Sequence, residues 1–151
     1  MKRTMSKAKK TMPDASTGIR RAHLRFGWTE LAIAFAAGAT LELLLGMKSG
    51  LFAEDVLRKE LWSLAHFHAA FLGVVNLIYP SVADHETWSS AQRRTASRAL
   101  MLGSALLPLG LFLGGMHHPE GDPGIAIWLA PIGGVLLVAV AAAHARAHLS
   151  S

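Results

Sequence analysis

"LWSLAHFHAAFLGVVNLIYP", residues 61–80, carries two histidines, an asparagine and the only tyrosine of the chain through a run that is otherwise soluble in lipid. A polar group withdrawn from water without a partner costs roughly a few kcal/mol, so each of these side chains asks for one. Whether the run is a core helix or a membrane span decides the fold, and its neighbours answer. Three more apolar runs accompany it, and each of the four, at 28–47, 61–82, 99–116 and 124–144, is close to the ~20 residues a helix needs to cross the hydrocarbon layer. With 52% hydrophobic residues in 151, the chain holds more apolar sequence than one small soluble core absorbs. The expectation is an all-α, integral membrane four-helix bundle over residues 28–148.

The charges give its orientation. Lys2, Arg3, Lys7, Lys9, Lys10, Arg20, Arg21 and Arg25 precede the first run, Arg93, Arg94 and Arg98 lie between the second and third, and Arg146 follows the fourth. The other two links hold only Lys48, Arg58 and Lys59. The positive-inside rule therefore places both termini in the cytoplasm. Residues 1–27 read as a retained, disordered basic tail lying on anionic membrane lipid, since no aromatic residues are interleaved to stack bases and the run that follows is too long for a signal peptide. Nucleic acid is not an expected partner. Cysteine is absent, which removes disulfides, thiolate metal sites and cysteine nucleophiles. No internal repeat and no second domain are visible.

In this topology the first span runs outward and the second returns. Glu42, His66 and His68 then fall at a similar depth, roughly 8 Å from the outer ends of their spans, and His117 and His118 close the third span at that level. The inner halves read as almost wholly apolar. On a helix the two histidines of "HFH" stand about 200° apart and have different partners. The turn from His66 follows Ala69, Ala70 and Gly73, a strip of small residues; that from His68 follows Leu72, Val75, Asn76 and Tyr79. A small strip beside a histidine either leaves room for a flat macrocycle whose iron the imidazole holds, or lets two helices approach. Tyr79 reads as an anchor at the inner interface beside Pro80.

The run "LWSLAHFHAAFLG" resembles the second span of styrene oxide isomerase, a small four-helix bacterial membrane enzyme in which a tryptophan precedes the haem-ligating histidine by four positions; Trp62 and His66 match that spacing. Gly103 and Ser104 resemble a Gly-Ser pair in that family's third span, and Leu129, Ala130 and Pro131 before "GGVLL" resemble its fourth. The likeness covers about Trp28 to Val140. It implies a homo-oligomer, a trimer in the family, with haem b between protomers, whose ferric iron acts as a Lewis acid on an aromatic epoxide and yields an aldehyde.

His66 would then be the metal ligand, with Trp62, Ala70 and Gly73 around the cofactor, and His117, Glu42 and His68 would be candidate catalytic groups facing a small apolar substrate. Three polar positions of the family are altered: its asparagine, aspartate and tyrosine fall at Leu72, Leu109 and His117. Asn76 stands one turn beyond Leu72 as a replacement. Competing readings are a haem protein for electron transfer or gas sensing with a second imidazole, His117 or His118, on the iron; a zinc or copper site from Glu42, His68, His117 and His118; and a scaffold whose histidines only pair with neighbouring helices.

Overall fold

A computed structural model describes residues 15–83, 88–118 and 121–149. Among these there is no strand, and four helices are long and apolar enough to cross a membrane: α1 (Ala15–Gly46), α2 (Val56–Val82), α3 (Ser90–Met116) and α4 (Leu129–Leu149). The first fourteen residues of the expected tail lie outside the described residues. Residues 15–27 do not form a tail, because α1 extends inward past Trp28 and is already helical there.

Local chemistry explains the ends. Helix α1 stops in a Schellman turn, in which Ser49 N–H donates to the Leu44 carbonyl at 3.0 Å and Lys48 N–H to the Leu45 carbonyl at 3.0 Å, with Lys48 in the left-handed region at φ 52°. A single turn of π-helix, Gly50–Glu54, then leads to Asp55, whose carboxylate caps α2 by accepting from Arg58 N–H at 2.9 Å. That backbone bond, helped by the nearby His118 and Arg58, holds the Asp55 carboxyl below its ordinary range. Ser89 and Gln92 form a capping box at the start of α3. A 3-10 turn, Ile125–Trp128, feeds α4.

The helices pair as two hairpins. Gly27 on α1 meets Gly73 on α2 so closely that a Cβ on Gly27 would stand 2.9 Å from the Gly73 carbonyl oxygen and 2.9 Å from Leu77. Gly103 on α3 meets Gly133 on α4 in the same manner, with a Cβ at 2.9 Å from the Gly133 oxygen and 3.0 Å from Leu137. Both crossings use a glycine against a glycine, with a leucine four residues on. The sequence hides this shared pattern, since the residues between the glycines differ. Close backbone approach of this kind is how helices associate where lipid removes the hydrophobic drive.

The four helices are not all packed on one another. Helix α1 packs on α2, α2 on α3 and α3 on α4, while α1 barely meets α3. Helix α4 meets α2 and α3 where Val140 joins Tyr79, Ala83 and Leu100 in an apolar cluster. The glycine seams account for the difference: they hold each hairpin tightly, and no such seam joins α1 to α4 or to α3.

Candidate functional site

His66 is placed by its own helix and by a gap in the next. Its ring lies against Gly38 of α1, where an added Cβ would come within 2.5 Å of Cε1 and 3.0 Å of Nε2. Nδ1 stands 2.9 Å from the Ala34 carbonyl oxygen. A carbonyl only accepts, so the proton is assigned to Nδ1 and Nε2 keeps its lone pair. Imidazoles that hold metals are commonly oriented in this way by a carbonyl on their other nitrogen.

The same ring lines an apolar groove of about 700 Å³ that runs between α1 and α3 over a floor of α2. Its α1 wall extends from Phe26 to Leu44, roughly 27 Å at the helical rise. The volume falls within the range of small-molecule and cofactor sites. Trp62 forms part of the wall and is fixed there: its Nε1 donates to the Phe112 carbonyl at 3.0 Å, and its ring stacks on Phe112 at 5.1 Å and on Phe52 at 6.3 Å between centroids. Only two of the lining residues are ionisable, His66 and Glu30. A shallower groove of about 520 Å³ also touches His66, with Glu42, Lys59 and Ser63.

Near the start of α1, the end of α2 and the first half of α3, the helices meet through polar side chains as well as apolar ones. His23, Asn76 and Ser104 are fully buried. His23 Nδ1–H donates to Asn76 Oδ1 at 2.9 Å, and His23 Nε2 meets the Ser97 hydroxyl at 2.8 Å. Asn76 Nδ2 donates to the Leu72 carbonyl and to Ser104 Oγ, both at 2.9 Å, and lies 3.4 Å from Glu30 Oε2. The expectation of apolar inner halves is thus overturned by one network spanning α1, α2 and α3. Tyr79 packs its ring against this network, and its buried hydroxyl has no hydrogen-bond partner among the described residues. Instead of anchoring the interface it is 5% exposed, its ring 4.4 Å from His23 and 5.4 Å from His144 of α4.

The expected outer layer divides. Glu42 and His66 line one groove, as their shared depth implies. His68 turns back to its own helix, Nδ1 at 2.7 Å from the Leu64 carbonyl oxygen, and lines neither groove. His117 is exposed at the end of α3, and His118 pairs with Asp55 at 2.7 Å. Among the described residues no three of His, Asp or Glu stand together as a metal site, so Glu42, His68, His117 and His118 do not assemble as a zinc or copper centre. Gly73 does not leave room for a ring, because Leu31 and the Gly27 backbone fill that space. Ala70 lines neither groove; Ala69 takes its place beside His66.

Glu30 and His23 are the residues that sequence reasoning missed. Starting the first span at Trp28 put Glu30 at an interface and His23 in a tail. The signal was present as spacing: His23, Gly27, Glu30, Leu31 and Ala34 recur at helical intervals and form the buried stripe of α1, while Arg20, Arg21 and Arg25 face outward. No protein-family model, curated protein or solved structure matches this chain.

Proposed function

We propose that this chain is an integral membrane protein that binds haem b, with His66 as the iron ligand. The observation that carries the reading is the bond from His66 Nδ1 to the Ala34 carbonyl, which leaves Nε2 with its lone pair on a ring that lines an apolar groove. The residues fit a flat macrocycle: Trp62, Ala69, Ala65 and Phe112 supply apolar faces, and the donor is an imidazole nitrogen. When bound, haem supplies a ferric iron that acts as a Lewis acid toward an oxygen on its open face.

The chain's own residues hold the imidazole at Gly38 and keep water from the groove with Leu109, Pro108 and Phe112. His66 is the only histidine lining either groove among the described residues, which favours one open face over a second imidazole on the iron. The substrate class is then a small apolar molecule, and the resemblance points to rearrangement of an aromatic epoxide to an aldehyde. Both termini lie in the cytoplasm of a bacterial-type inner membrane, on the strength of the arginines near the inner ends of α3 and α4. The groove opens sideways, where a neighbouring protomer of a homo-oligomer such as a trimer closes it. His66→Ala tests the reading: haem co-purifying with the protein falls to background while far-ultraviolet circular dichroism stays helical, and unchanged haem content overturns it.

A further inference from the structure

The groove has a second polar anchor that haem does not use. Glu30 falls at the middle of the membrane-length part of α1, is 8% exposed and lines the inner end of the groove. Its Oε1 has no hydrogen-bond partner. Its Oε2 has only the 3.4 Å approach of Asn76 Nδ2, whose two hydrogens are already directed at Leu72 and Ser104 over 2.9 Å each. The protein therefore leaves this carboxyl unsatisfied.

No lysine or arginine among the described residues pairs with it. The polar groups of the network beside it are His23 on its own helix, Asn76 on α2 and Ser104 on α3, none of them a fixed positive charge. An unpaired carboxylate at this depth is costly, and such residues commonly mark ligand or ion pathways. What the site lacks is a cation, and what surrounds it is apolar: Ile33, Ala105 and Pro108, with the Phe26 ring one turn earlier on the same face of α1. Charge plus aromatic wall is the chemistry that recognises an organic ammonium.

We propose that the inner end of the groove binds a hydrophobic organic cation, an aryl- or alkylammonium, with the Glu30 carboxylate as its counter-charge. The cation's apolar body lies along the α1–α3 walls, and its charge replaces the partner that the fold does not supply. This site stands independently of haem, since His66 takes no part in it.

The test uses phenyltrimethylammonium and its uncharged isostere tert-butylbenzene, measured by equilibrium dialysis against the full chain in zwitterionic nanodiscs, with empty nanodiscs subtracted. The cation is expected to bind saturably and the isostere not to. Glu30→Gln weakens cation binding about tenfold or more, the scale of removing one partner of a buried charge pair. Glu30→Asp weakens it less, and His66→Ala leaves it intact, so a failure of the haem reading is seen separately. Equal binding by folded Glu30→Gln, no saturable binding by wild type, or equal saturable binding of the isostere overturns the proposal. If Glu30→Gln does not fold, a hydrophobic carbodiimide on the wild-type protein gives the same reading: phenyltrimethylammonium protects Glu30 from modification, and labelling at the same rate with the cation present overturns the site.

Discussion

Gly38 lies against the His66 imidazole, and its missing side chain is what lets the ring lie in the seam between α1 and α2. A methyl group there meets Cε1 at 2.5 Å, and the ring must turn away from the Ala34 carbonyl. Gly38→Ala is therefore expected to lower haem retention several-fold while the helices persist, measured as Soret absorbance per protein; full retention would mean that the ring orientation does not matter. His66 was legible in the sequence because an imidazole in an apolar run stands out. Glu30 and His23 were not, because hydropathy finds where the apolar run begins rather than where the helix begins, and Arg20, Arg21 and Arg25 around them mask a continuous buried stripe. His68 misled for the opposite reason: it is equally conspicuous in the run, yet it needs nothing beyond the Leu64 carbonyl of its own helix.

At the scale of elements, two glycine seams hold the hairpins, and the polar network joins the first hairpin to the second. Helix α4 depends most on its seam, since it is the least buried of the four candidate spans. A side chain at Gly133 would meet the Leu107 backbone nitrogen at 2.6 Å and the Gly103 oxygen at 2.9 Å, atoms that cannot swing aside. Gly133→Val is expected to destabilise the protein by about 1–3 kcal/mol, the usual cost of overpacking, read from the midpoint of denaturant unfolding in detergent. An unchanged midpoint would show that α3 and α4 do not depend on this crossing. The number and order of helices were readable from the apolar runs, and their outer ends nearly so. Which face of each helix meets which neighbour was not, because a small residue serves equally as a space for a ligand and as a space for another backbone, as Gly73 illustrates.

For the whole molecule, the open arrangement matters more than the helix count. A closed bundle would spend the faces of α1 and α3 on each other; here they form the walls of a groove that carries one imidazole and one carboxyl. The orientation expected from the positive-inside rule can be measured simply, because the sequence has no cysteine of its own. Single cysteines at Ala91 and Asp122 are expected to react with an impermeant thiol reagent from opposite sides of the bilayer, Ala91 from the cytoplasmic side. Labelling of both from one side would contradict the four-span topology.

The most direct measurement is the ultraviolet-visible spectrum of the detergent-purified, haem-supplemented protein, oxidised and then reduced, before and after an aromatic epoxide is added. Iron held by His66 alone predicts an intense Soret band of five-coordinate or weakly six-coordinate type that shifts when the epoxide occupies the open face. A bis-histidine spectrum unmoved by the epoxide would contradict the open face, and the absence of any Soret band would remove haem from the groove altogether.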